Sequence, residues 1–289
     1  MAKQMANRMT LSWLIVLAAI FMFPLITTIS NSFMSTNEIV EHYGTKLSVF
    51  DILDETDRNY VDIQLIPSEA GLSQYSDLIL NNPSFIILML NSLKLTLPVV
   101  VGCVLFSLTT AYGFTIWNWK YKETVFFVYI VVMLMPLQAV LVPNYIIAEI
   151  LGLTDSYLAI ILPGIFSPFG TFLLRQSMKA IPMEYLEAAK VDGAGTFRTF
   201  FSIVLPQMKS GMAALAMLVF IEYWNVVDQV IIFIKDSFRE PLSVFLSHMS
   251  GDSSSLIFAA SVLYLFLPLW FLTIGQKELE QGIELSGIK

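Results

Sequence analysis

The sequence predicts an all-α integral membrane protein with six transmembrane helices. Of its residues 56% are hydrophobic and 13% charged, and the mean hydropathy is +0.71; a soluble domain carries about 25% charged residues. Six apolar runs each reach or approach the roughly 20 residues needed to cross about 30 Å of hydrocarbon. The polar segments between them differ sharply in charge, which orients the bundle.

The expected spans are residues 11–32, 85–117, 124–150, 157–174, 211–234 and 256–275. The first follows Lys3 and Arg8 and resembles a secretory signal at first sight. Its apolar run exceeds the usual core of about 7 to 15 residues and continues into Thr-Ile-Ser-Asn without a small-residue cleavage site, so an uncleaved anchor is expected. The second and third are long enough to tilt or to project beyond the bilayer. Pro136 and Pro143 in the third, and Pro163, Gly164, Pro168 and Gly170 in the fourth, interrupt backbone bonding. Such breaks are tolerated where helices bury them or a cavity borders them, leaving both a movable gate and static kinks open.

With both ends inside, the cytoplasmic segments hold Lys3, Arg8, Lys120, Lys122, Arg175, Lys179, Lys190, Arg198, Lys209, Lys277 and Lys289, eleven of the sixteen basic residues. Residues 35–83 hold nine carboxylates (Glu38, Glu41, Asp51, Asp54, Glu55, Asp57, Asp62, Glu69, Asp77) against Lys46 and Arg58, a net charge of −7 that equals that of the whole chain. The acidity thus belongs to one external loop, and the pI near 4.8 implies neither a nucleic-acid nor a cytosolic partner. The expected organisation is an N-terminal tail and anchor at 1–34, the acidic loop at 35–83, and one core at 84–289 with a polar cytoplasmic segment at 182–206.

That segment is the most informative part of the chain. Pro182 can open a helix whose carboxylates Glu184 and Glu187 lie where the dipole favours negative charge. Asp192-Gly193 is expected to end it, with Gly193 in the left-handed conformation. Thr196 can cap a second short helix that stops before Leu205-Pro206. A polar segment of this kind between two spans reads as a docking loop for an energy-supplying partner.

The spacing Glu187-Ala188-Ala189, three residues, Gly193, nine residues, Ile203, one residue, Leu205-Pro206 matches the cytoplasmic signature of bacterial ABC importer permeases in every fixed position. Asn91-Ser92-Leu93, Ile181-Pro182, Asp192-Gly193-Ala194 and the tail from Gln276 to Lys289 extend the likeness over most of the chain. The sequence resembles the maltose-type carbohydrate uptake family, and within it the shorter of two paired permeases. Ser286 stands where that family commonly has Gly, and the acidic loop is longer than the family needs. The resemblance implies a type I ABC importer permease fold in a bacterial cytoplasmic (inner) membrane, both termini cytoplasmic. It also implies a second homologous permease, two nucleotide-binding ATPase subunits and an extracytoplasmic solute-binding protein. Glu187, Ala188, Ala189, Asp192, Gly193, Ile203, Leu205 and Pro206 would then form the ATPase-coupling segment.

No catalytic constellation is present. Gly193-Ala-Gly195-Thr lacks the lysine and preceding strand of a phosphate-binding loop, so ATP and Mg are expected on partner subunits and no cofactor on this chain. Cys103 is the one cysteine, and His42 and His248 are far apart, so no metal site is expected. In the fifth span Glu222, Trp224, Asn225 and Asp228 form a polar cluster beside Tyr223, with Glu222, Asn225 and Asp228 three residues apart and so expected on one helix face. Ionisable residues within a span face a cavity or a partner; a carbohydrate pathway, a bond to a neighbouring helix and a position at the outer boundary all fit. The polar stretch 235–255 is either a solvated connection or, by the resemblance, a surface for the binding protein. The function expected is translocation of a sugar or oligosaccharide; an importer of glycerol phosphate or a polyamine, or a membrane sensor on the same fold, are the alternatives.

Overall fold

The computed structural model describes residues 2–43, 66–248 and 256–285. Residues 44–65 of the acidic loop, Ser48 among them, residues 249–255 and the last four residues lie outside the described residues. Two compact units divide the chain: residues 1–87 with 245–266, and residues 88–244 with 267–289.

In the first unit, α1 (Ala2–Asn31) buries none of its apolar window within the chain, as a span facing lipid or a neighbouring subunit does. Beyond it lie α2 (Thr36–Tyr43) and the short α3 (Ser73–Ser76), which passes directly into a π-helical turn, Asp77–Asn81. The loop is therefore not bare connection. Gln74 is fully buried, and its amide donates to the carbonyls of Asn31 (3.3 Å) and Met34 (2.5 Å), tying α3 to the turn that ends α1. Glu38 accepts from the Ser68 N–H at 2.7 Å, and Tyr75 donates to the Ser32 hydroxyl at 2.7 Å.

The second unit begins inside α4 (Pro83–Ile116), whose 34 residues extend for ~51 Å, well past the hydrocarbon. Then follow α5 (Lys122–Met133) and α6 (Leu137–Ile150). The third expected span is not one straight helix: α5 and α6 are bent by 99° at the break. Pro136 lacks an N–H and disfavours helical backbone at Met135, so it stands in extended conformation (ψ 144) as the residue before α6.

The fourth span is α7 (Leu158–Ile165) and α8 (Pro168–Lys179). Ser167 restarts the helix by accepting the Gly170 N–H at 3.1 Å, with Pro168 in the first turn, where its missing donor costs nothing. The polar segment 182–206 contains α9 (Met183–Val191), α10 (Thr196–Thr199), a π-helical run Phe200–Val204 and α11 (Leu205–Gln207).

The fifth expected span, 211–234, is also divided. α12 (Lys209–Trp224) ends at Asn225, and α13 (Asp228–Phe233) follows as a separate short helix. α14 (Leu242–His248) and α15 (Ile257–Leu285) complete the chain. Among the described residues four helical stretches are long and apolar enough to cross a membrane, and six when each of two bent pairs counts as one crossing.

Leu95 of α4, Leu141 and Ala148 of α6, Ala159 and Ile160 of α7, and Val230, Phe233 and Ile234 at α13 form one core cluster of the second unit. The short helix α13 is thus turned back into the bundle. Small residues bring neighbouring helices close: Gly170 lies against Ser107 and Cys103, Gly211 against Ser177, and Gly275 against Met217.

Candidate functional site

The polar segment 182–206 has two faces. Pro182 (ψ 132) precedes α9, and its C-terminus closes as a Schellman motif: the Gly193 N–H bonds to the Lys190 carbonyl (3.0 Å) and the Ala194 N–H to the Ala189 carbonyl (2.9 Å). Gly193 has φ +75, and a Cβ there would meet no atom within 4 Å, so glycine serves backbone conformation rather than space. Two expectations are corrected. Gly195, not Thr196, occupies the cap position of α10, in extended backbone that needs no side chain. The helical run does not stop before Leu205-Pro206: it continues through the π-helical turn Phe200–Val204 into α11 with Pro206 inside it, and the chain turns by 71° only at Met208.

Ala188, Ala189, Asp192, Ile203 and Pro206 line one groove of about 430 Å³, with Tyr185, Ser202 and Gln207. Ala189 is buried at its floor; Ala188 and Asp192 are exposed. Leu205, half-buried, is not on this lining. Glu187 faces away from it, into a cavity of about 560 Å³ shared with Tyr112, Trp117 and Lys190. Val191 and Phe197, 88% and 81% exposed, flank the Gly193 turn and were not singled out by the motif. Their signal in the sequence is two apolar residues in a polar turn.

The second site lies where two broken helices meet. Leu137 at the start of α6 and residues Glu222, Tyr223, Asn225, Val226, Val227, Asp228 and Gln229 enclose a cavity of about 220 Å³. Glu222, Asn225 and Asp228 do line it, but not as one helix face. Asn225 ends α12, its amide donating to the Ile221 carbonyl at 2.7 Å, and Asp228 begins α13. Trp224 is corrected: fully buried and stacked on Phe220 (5.4 Å, 17°), it packs the bundle and is not on the lining. Tyr223 and Gln229 take its place. The Tyr223 phenol fits against Gly164, where a Cβ would come within 2.5 Å of its oxygen. Among the described residues no His, Cys, Asp and Glu group could hold a metal ion.

A family model described as "Binding-protein-dependent transport system inner membrane component" matches residues 103–284, which include both sites. The chain belongs to this family. It is a multi-pass inner-membrane permease of an ABC importer, a non-catalytic transport subunit that works with a binding protein and ATPase subunits. The permease is similar to the arabinooligosaccharides transport system permease protein AraQ of Halalkalibacterium halodurans, 28% identical over 287 residues that cover 96% of this chain and 97% of AraQ. It is similar also to the sn-glycerol-3-phosphate transport system permease protein UgpE of Yersinia pestis, 29% identical over 208 residues, 70% of this chain and 74% of UgpE. A bacterial ABC transporter involved in the import of the acidic polysaccharide alginate shares the fold, with a TM-score of 0.79 at 19% identity, over 96% of this chain and 97% of that one.

Two further features of the permease were not legible as sites. Arg175, 3% exposed, lies over the Phe126 ring (3.7 Å) and meets Glu123 at 2.6 Å, joining α8 to α5. Asn91, part of the Asn-Ser-Leu motif, donates to the carbonyls of Phe238 (2.8 Å) and Glu240 (3.1 Å), and Ser92 accepts the Leu242 N–H at 2.9 Å. That motif therefore holds the segment after α13 in place.

Proposed function

We propose that this permease translocates a neutral carbohydrate, a sugar or oligosaccharide, handed over by a solute-binding protein. The observation that carries this reading is the cavity at the two helix breaks. Its lining offers the carboxylates of Glu222 and Asp228, the amides of Asn225 and Gln229, and the Tyr223 ring. Carboxylates and amides suit hydroxyl groups, and an aromatic face suits the apolar side of a sugar ring. Interrupted helices expose backbone polar groups to such a cavity without exposing them to lipid. The likeness to AraQ supports an oligosaccharide. The likeness to UgpE raises glycerol phosphate, but the lining holds two carboxylates and no Lys or Arg, which disfavours a phosphate. Those carboxylates favour one second reading, a polyamine.

In this reading a second permease completes the pathway and two ATPase subunits bind ATP and Mg. The groove of Ala188, Ala189, Asp192, Ile203 and Pro206, with the turn at Gly193, receives an ATPase surface and transmits its closure to α12. Both termini are cytoplasmic and residues 35–83 extracytoplasmic, in keeping with the excess of basic residues on the inner segments. The test is to identify the ligand retained by the purified cognate binding protein and to measure its ATP-driven uptake into proteoliposomes holding the complete transporter. Saccharide retention and uptake are expected. Exclusive retention of a phosphodiester or a polyamine overturns the carbohydrate reading.

A further inference from the structure

Around the break between α7 and α8, neighbouring helices meet at three glycines. A Cβ at Gly102 of α4 would come within 2.5 Å of the Ile165 side chain, and one at Gly170 of α8 would strike Ser107 and Cys103 of α4. Gly164, buried near the end of α7, is the third. Its backbone does not adopt the positive φ of Gly152 and Gly193, and glycine inside a helix carries an entropic cost, so its place in α7 calls for a steric reason. That reason is Tyr223 of α12. A Cβ at Gly164 would lie 2.5 Å from the phenol oxygen, 2.7 Å from the ring carbon that bears it and 2.9 Å from a Val99 methyl.

Tyr223 stands between the bundle core and the cavity at the helix breaks. It packs against the cluster that includes Leu95, Ile160 and Val230, and it lines the cavity beside Glu222, Asn225 and Asp228. A close-packed core has no spare volume, so a ring pushed off Gly164 has only the cavity to enter. Ordinary carbon contacts begin near 3.5 Å, so a methyl group at Gly164 displaces the ring by about 1 Å. The cavity holds about 220 Å³. That is below the roughly 300 to 1,000 Å³ of ligand pockets, so its occupant feels such a shift. Gly164 itself is not on the lining.

We propose that Gly164 is a positioning residue that sets the width of the solute cavity: lacking a side chain, it lets the Tyr223 ring lie back against α7, out of the solute's way. A residue near the α7–α8 break thereby acts on a solute at the α12–α13 break without touching it. This inference rests on the reading of the cavity as the solute's path, but not on which solute takes it.

The experiment uses the complete transporter in nanodiscs, with Gln229→Cys as a reporter on the cavity lining; Cys103 is buried. Two reagents of equal charge and different bulk, aminoethyl methanethiosulfonate and its trimethylammonium analogue, label that thiol, and mass spectrometry gives each rate. Gly164→Ala is expected to lower the bulky-to-small rate ratio at least about 5-fold. Adding Tyr223→Ala is expected to return the ratio to wild type or above. An unchanged ratio in Gly164→Ala, or an equal fall in the presence of Tyr223→Ala, overturns the proposal and leaves the solute-path reading in place. Should Gly164→Ala alone fail to assemble, recovery on adding Tyr223→Ala supports the contact and no recovery overturns it. ATP-driven uptake of the solute retained by the binding protein is measured on Gly164→Ala with Gln229 kept. Reduced uptake is expected; a lowered ratio with wild-type uptake overturns the solute-path reading and the proposal with it.

Discussion

The guanidinium of Arg175 and the carboxylate of Glu123 meet at 2.6 Å, yet one side chain is 3% exposed and the other 70%. The pair is therefore lopsided. Arg175 is held by the Phe126 ring and by packing in α8, and Glu123 reaches in from the start of α5. Arg175→Ala removes a buried stem and a cation–aromatic contact worth about 1 to 2 kcal/mol. Glu123→Gln loses an exposed partner and should cost clearly less. Thermal melting of the purified transporter checks this ordering; equal losses would show that the ion pair, not the burial, holds α5 to α8.

The turn after α9 separates conformation from contact. Gly193→Val places a β-branched residue at φ +75, with a strain of about 1 to 2 kcal/mol, although there is open space for the side chain. Uptake should fall sharply while the protein remains in the membrane, and Gly193→Asn should retain more activity because Asn tolerates that region. Glu187→Lys tests the other face of α9. Uptake assays normalised to membrane-inserted protein give the answer, and wild-type uptake in both Gly193→Val and Glu187→Lys would remove the coupling role.

Within the fifth span, neighbours should behave differently. Glu222→Ala or Asn225→Ala is expected to change apparent transport affinity or solute preference without loss of assembly, since both line the cavity. Trp224→Ala opens a hole beneath Phe220 and should lower stability by about 3 to 5 kcal/mol. Transport kinetics and melting on the same purified variants separate the two effects. Loss of assembly in all three would mean that the cavity residues too serve packing.

Acid should loosen the turn at 235–239 that follows α13. The Asp155 carboxyl is held below its ordinary 3.8, chiefly by the Lys235 N–H, then by that of Asp236, with the Arg239 and Lys235 charges adding to it. A lowered folded value stabilises above the ordinary carboxylate range and is lost as pH falls through it, so the turn is unaffected from pH 7 to ~5 and loosens below ~4. The groups facing Asp155 are Lys235, Asp236 and Arg239, with Tyr157 bonded to the Arg239 carbonyl. Hydrogen exchange at the Lys235 and Asp236 amides, corrected for intrinsic rates, should show this transition. Asp155→Asn should abolish it.

Because the one cysteine, Cys103, is buried, introduced thiols report topology cleanly. Ser237→Cys should react with a membrane-impermeant reagent in intact cells, and Ser202→Cys only after disruption. The reverse pattern would invert the orientation given by the basic residues.

The sequence by itself determined the class of molecule. Apolar runs long enough to cross a bilayer, the charge imbalance between segments and the spacing from Glu187 to Pro206 are local quantities, and hydrocarbon leaves few alternatives to helices. Gly193 was legible for the same reason, since a helix stop is read within a few residues. Tertiary structure decided what depends on meeting partners far away in the chain. The sequence could not show that Pro136 and Asn225 interrupt helices beside a common cavity, that Trp224 turns into the core while Gln229 turns out of it, or that Asn91 and Asp155 clamp a turn beyond Phe233. Periodicity assigns faces only while a helix continues, and here it fails at the breaks, where the backbone leaves 3.6 residues per turn and long-range packing chooses which way each side chain points.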